Sequence, residues 1–225
     1  MGVTQLHRED DLMRKGLILL LVAPAMLLLP VAASAATAGS FAASLQPIPH
    51  NSTADGGSNV KGHASLSLTG RQLTVELSAS GLTPNEPHAM HIHGVLDGTN
   101  ECPPASADVN TGDPIDSDTR QILGTPDGLL SLNEGLPFYG PIDVSFTTSG
   151  DTSAASGLAL ERFPVANSKG KISYNRTFSI PIEVAKNLSD LHIVLHGTDL
   201  PSDADHSSLG SLFEATLPVA CGTIN

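Results

Sequence analysis

The chain has 225 residues, with 11 Lys and Arg against 23 Asp and Glu, and a net charge of −12. So acidic a balance argues against nucleic acid and anionic membranes as partners, because both carry the same sign of charge. Aromatic residues make up 4% and tryptophan is absent, so a core has to be built from Leu, Val, Ile and Ala.

Arg14 and Lys15 precede an apolar run, Leu17 to Leu29, interrupted only by Pro24, and Ala33-Ser34-Ala35 follows with small residues. This order predicts a secretory signal over residues 1–35, cleaved after Ala35. The run is too short for a membrane anchor, since a spanning helix takes roughly 20 residues. Met1 to Leu12 is acidic and foreign to such a signal, so Met13 is a second candidate start. Cleavage would remove Arg8, Arg14 and Lys15 together with Glu9, Asp10 and Asp11, and leave the charge at −12. The expected product is secreted or held in the cell envelope, makes no membrane contact, and is long enough for one domain with a substantial core.

Residues 36–58 are rich in Ala, Ser, Thr and Gly and read as a flexible linker, and residues 59–225 read as a β domain. Ala64, Leu66 and Leu68 alternate with Ser65 and Ser67, and Thr69-Gly70-Arg71 is a turn. Leu73, Val75 and Leu77 then alternate with Thr74, Glu76 and Ser78, which predicts a hairpin with one buried face. Met90 to Val95, Ile142 to Thr147, Ile172 to Ile180 and His192 to Leu195 are further strand candidates. Residues 98–141 read as a long polar loop, and Ala154 to Leu160 as one short helix. Many short strands with frequent Gly and Pro predict an all-β sandwich or barrel.

His91-Ile92-His93 is the sharpest local feature. On a strand the two imidazoles share a face roughly 7 Å apart, and Ile92 points the other way, toward a core. Two rings so placed can converge on one metal ion, and imidazole suits copper or zinc. His88 precedes them, and His196 ends the later strand candidate. Cys102 and Cys221 form an even pair, which in an exported protein predicts a disulfide.

The segment Gly81-Leu-Thr-Pro-Asn-Glu-Pro-His88-Ala-Met-His91-Ile-His93-Gly94 resembles the copper strand of copper/zinc superoxide dismutases, G-L-T-P-G-x-H-G-F-H-x-H. Cys102 stands at the family's disulfide spacing, Ala220-Cys221-Gly222-Thr223-Ile224 resembles its closing A-C-G-x-I, and Ile193-Val194-Leu195-His196 resembles the strand of another copper histidine. The resemblance implies a Greek-key β-barrel flattened into a sandwich, a Cys102–Cys221 disulfide, copper on His91, His93 and His196, and a small inorganic substrate or a metal ion as partner.

The departures bear on activity. Asp108 stands where the family has its bridging histidine, and residues 94–191 contain no histidine, so no zinc site is expected. Pro218 stands where the family has the arginine that attracts and orients superoxide, so fast dismutation is not expected of this chain. A weaker resemblance runs to CHRD domains, which also carry L-T-P followed by H-x-H strands and imply a non-catalytic, structural role.

Asp127-Gly128-Leu129-Leu130-Ser131-Leu132-Asn133-Glu134 has the order of the second part of an EF-hand loop, with Asp108 and Asn110 as the first two ligands. An insertion such as Gly112 to Pro126 would split the pattern. The expectation is a calcium loop made by Asp108, Asn110, Asp127, Ser131 and Glu134, and Asp108 is claimed by both metal readings.

Overall fold

The computed structural model describes residues 38–50, 58–96, 98–109, 128–199 and 212–225. The signal expected over 1–35 lies outside them, as do Asn110 and Asp127. No helix among the described residues is long and apolar enough to cross a membrane.

Eight strands make one antiparallel sheet that curls into a half-barrel: β1 (Ala38–Pro47), β2 (Lys61–Thr69), β3 (Gln72–Ser80), β4 (Met90–His93), β5 (Ile142–Ser145), β6 (Lys171–Ser179), β7 (His192–His196) and β8 (Pro218–Thr223). Their order is β5-β4-β7-β8-β1-β2-β3-β6. Among the described residues three short α-helices accompany them: α1 (Leu132–Tyr139), α2 (Ile182–Lys186) and α3 (Leu212–Thr216).

The hairpin β2–β3 forms as its alternation requires, with Leu66 opposite Val75 and both buried. Gly70, the first residue of its two-residue turn, has φ +63°, a conformation whose twist matches the flanking strands and which glycine adopts without strain. β1 corrects the linker expected at 36–58. Ala38 to Leu45 pair with β2, and Gln46 and Pro47 pair with β8. Its small Ala, Ser and Gly residues look like a linker in isolation. They suit a strand held on both sides, where Ala43 and Leu45 are buried by partners far along the chain.

One core fills the space between β2-β3-β6 and the other strands, with Leu66, Val75 and Leu77 meeting Ile92, Phe146, Ile193 and Leu195 in a single cluster. Side chains tie the free edge of β6 to the segment after β5. Tyr174 donates its hydroxyl to the Thr147 carbonyl at 3.1 Å, and Arg176 donates to the carbonyls of Thr147 and Gly150 at 2.7 and 2.6 Å.

β4 and β7 do not alternate in burial; every residue in both is buried. Their outer face carries a second layer, in which Tyr139, Leu130, Ile48 and Ala107 pack on Val194 and Cys221. This layer includes α1, which lies inside the stretch expected to be loop. Ser131 caps it, accepting from the Glu134 amide at 3.4 Å while the Glu134 carboxylate accepts from the Ser131 amide at 2.8 Å. That reciprocal box starts a helix despite Gly135 and Pro137, which weaken the helical periodicity. The helix expected at Ala154–Leu160 resolves into two single turns, Ala154–Ser156 and Leu160–Arg162.

Candidate metal centre

The two layers meet over three histidines. β4 projects His91 and His93 on the face opposite Ile92, and β7 ends at His196 beside them. The three are 1 to 2% exposed, and ligating atoms from all of them lie within 4.8 Å of one another. Among the described residues this is the group of three or more His, Cys, Asp or Glu side chains that can hold a metal ion.

Each ring is oriented by a backbone carbonyl. His93 Nδ1 lies 2.9 Å from the Gly140 carbonyl, His196 Nδ1 lies 2.8 Å from that of Thr216, and His91 Nε2 lies 3.0 Å from that of Gly157. A carbonyl only accepts, so each of those nitrogens carries the proton. A neutral imidazole has a single N–H. The lone pairs therefore remain on His93 Nε2, His196 Nε2 and His91 Nδ1.

Those remaining nitrogens have no conventional partner. His91 Nδ1 is buried without a hydrogen bond. His93 Nε2 and His196 Nε2 face each other at 3.5 Å, lone pair against lone pair. Two nitrogens of a tetrahedral set with bonds of about 2.0–2.1 Å stand roughly 3.3–3.4 Å apart. The donor set fits a cation of copper or zinc type.

Protonation does not replace the cation. Desolvation, the largest cause, holds His93 down at about 3 and His196 at about 4, and the neighbouring imidazoles push His93 lower. Desolvation likewise holds His91 well below the usual histidine value, helped by His196 and His93. The centre stays neutral and lone-pair-rich at physiological pH.

The cover is aromatic. The Tyr139 ring lies 4.7 Å from that of His93, and the Phe163 ring lies 5.3 Å from that of His91. Gly140 has φ +79°, and a Cβ there would fall 2.7 Å from the backbone of Gly94, so glycine alone lets this carbonyl reach His93. A second network holds the Gly157 segment: Asp151 accepts from Ser153 and Ser156 at 2.7 and 2.6 Å, and Arg162 donates to Ser156 at 2.6 Å.

His88 belongs to the frame and does not ligate. Its Nδ1 lies 3.0 Å from the His196 carbonyl and its Nε2 3.0 Å from that of Thr83. His192 shares the face of His93 and bonds Thr223 Oγ1 at 3.0 Å. Asp108 stands apart from the histidine group; its carboxylate accepts from the Gly128 amide at 3.0 Å. Glu134 reaches back to the Val109 amide at 3.1 Å. The two halves of the split calcium pattern, around Asp108 and around Gly128 to Glu134, thus lie side by side, with Asp108, Ser131 and Glu134 buried.

Cys102 and Cys221 are disulfide-bonded, with Cα atoms 5.7 Å apart. The orienting carbonyls of Gly140, Gly157 and Thr216 were not visible in the sequence, because any residue supplies a carbonyl. The glycine after Tyr139 was the one available signal. No protein-family model and no curated protein matches the chain.

Proposed function

We propose that this protein is an exported copper-binding protein on a scaffold like that of the copper/zinc superoxide dismutases, with His91, His93 and His196 as ligands. One observation carries the reading: three buried imidazoles each donate their proton to a carbonyl, leaving three lone pairs gathered where one cation would satisfy them together. Among divalent first-row metals copper has the highest affinity for such a nitrogen set. When bound, copper supplies one-electron chemistry. The chain's own residues fix the tautomers, exclude water through Tyr139 and Phe163, and keep the rings unprotonated.

Burial of all three rings and Pro218 in place of the family's arginine favour metal holding over fast turnover. Superoxide removal is expected well below the diffusion ceiling of about 10⁸–10⁹ M⁻¹s⁻¹. Metal analysis of untagged protein, followed by a superoxide assay, tests this. One copper per chain with slow or absent activity is the expected result. A protein that dialyses free of copper, or one that turns over at the ceiling, would refute it.

A second reading, a CHRD-like structural domain that binds calcium, is favoured by the meeting of the two half-loops. In that reading calcium is held by Asp108, Ser131 and Glu134 together with Asn110 and Asp127. Millimolar calcium is then expected to raise the melting temperature, since a ligand at a hundred times its Kd adds about 2.7 kcal/mol. Identical melting in chelator and in calcium would remove it.

A further inference from the structure

The outer face of β2, β3 and β6 has a composition unlike the rest of the chain. Of its outward residues, Ser65, Ser67, Thr69, Gln72, Thr74, Ser78, Ser80, Ser173, Asn175, Thr177 and Ser179 are uncharged and polar, and Glu76 is the single acid. One end is cationic. The ladder aligns Lys61 with Ser80 and Ser80 with Lys171, so two lysines flank one serine on the same face. Lys169 lies two residues away in the adjoining turn. Of the four lysines beyond residue 35, only Lys186 lies elsewhere.

Ser78 and Ser80 of β3, flanked by Lys61 and His63 of β2 and by Lys171 of β6, form the floor of a trough. A cavity of about 580 Å³ is lined by Lys61, His63, Ser78, Ser80, Lys171 and Ser173, with Asn167 at its rim. A second of about 380 Å³ shares His63, Ser78 and Ser173 and continues to Glu76 and Asn175. The three rows, from Lys61 to Ser65, span about 14 Å. Asn167 commits its oxygen to the amides of Lys169 and Lys171 at 2.9 and 3.2 Å, so its side chain offers the trough only donors. The cationic end is thus a set of ammonium, amide N–H and hydroxyl groups, and the remainder is lined by His63, Ser65, Ser78, Ser173 and Asn175, with the Glu76 carboxylate in the row farthest from the lysines.

We propose that this trough binds a short segment of an acidic polysaccharide. A uronate carboxylate sits between Lys61 and Lys171, and the hydroxyls of about three sugar rings lie along Ser80, Ser78 and Ser173. The lysine stems are long and flexible enough to converge on one carboxylate from neighbouring strands. At physiological salt, charges beyond a Debye length of about 8 Å are largely screened, so this local pair outweighs the acidic remainder of the surface. The metal centre lies on another part of the sheet and is not involved.

The test is a titration of the ¹⁵N-labelled full chain with tetragalacturonate, a neutral tetrasaccharide of similar length, and inorganic phosphate. Tetragalacturonate is expected to shift the amides of Ser78, Ser80 and Ser173. The neutral sugar and phosphate should each bind at least about tenfold more weakly, a difference of about 1.4 kcal/mol. The Lys61→Gln/Lys171→Gln double variant, altered only on the surface, should bind the acidic and neutral sugars alike. Absence of shifts in β2, β3 and β6, equal binding of the acidic and neutral sugars, equal binding of phosphate, or an unaffected double variant would each overturn the proposal.

Discussion

Replacing His93 with alanine is expected to weaken copper binding more than about a hundredfold, since losing even a group that merely orients a ligand costs 10- to 100-fold. His93 is the middle of the site: its Nε2 faces His196, its ring packs on Tyr139, and its Nδ1 is held by Gly140. His196→Gln, which keeps most of the volume, separates ligand loss from cavity formation. Both variants should keep their β-sheet circular dichroism, and unaltered copper binding in either would sink the site. The metal-free protein adds a pH signature. The unfolded chain takes up protons on these histidines near 6.5, whereas His93 and His196 in the fold wait until about 3 and 4. Between those values the unfolded state binds more protons. Stability is therefore full above about pH 6.5 and is lost as pH falls, by about 1.4 kcal/mol per pH unit for each group. Urea midpoints at pH 7 and pH 5 should show this, with a shallower slope in His93→Ala.

Removing the disulfide is expected to cost up to about 4 to 5 kcal/mol, the chain-entropy figure for a loop of this length. Cys102 and Cys221 are 119 residues apart in sequence, so their bridge closes most of the domain. Cys221 also packs in the same layer as Tyr139, Leu130 and Val194. The double variant Cys102→Ser/Cys221→Ser should therefore lose both denaturant resistance and part of its copper retention. Non-reducing mass spectrometry of the native protein should show the linked peptides. A denaturation midpoint that ignores reductant would contradict this account.

Much of the fold was legible wherever polar and apolar residues alternate with period two. β2, β3 and β6 were read this way because one of their faces meets solvent. β4 and β7 were legible from their apolar residues, Met90, Ile92 and Val95 in one and Ile193 to Leu195 in the other, although burial on both faces leaves no alternating pattern of exposure. β1 was missed because Ala, Ser and Gly carry little signal when the burying partners are remote. α1 was missed because Gly135 and Pro137 interrupt the periodicity, although Ser131 and Glu134 at capping-box spacing were in view as calcium ligands. The clustered histidines were readable and their orientation was not, because three carbonyls set it.

β1 has a consequence for the order of events in folding. This first strand is paired with β2 along most of its length, yet it ends against β8, and Ala42 exchanges backbone hydrogen bonds with Asn225, far along the sequence. Contacts so distant in sequence form late and slow folding. The seam between β1 and β8 cannot zip until residues 218–225 are available to β1, long after the β2–β3 hairpin has its own partners. Cys221 belongs to the same distant segment, so the native disulfide closes together with that seam. Until residues 218–225 dock, the end of β1 is an unpaired edge and Cys102 a free thiol, both open to the wrong neighbour.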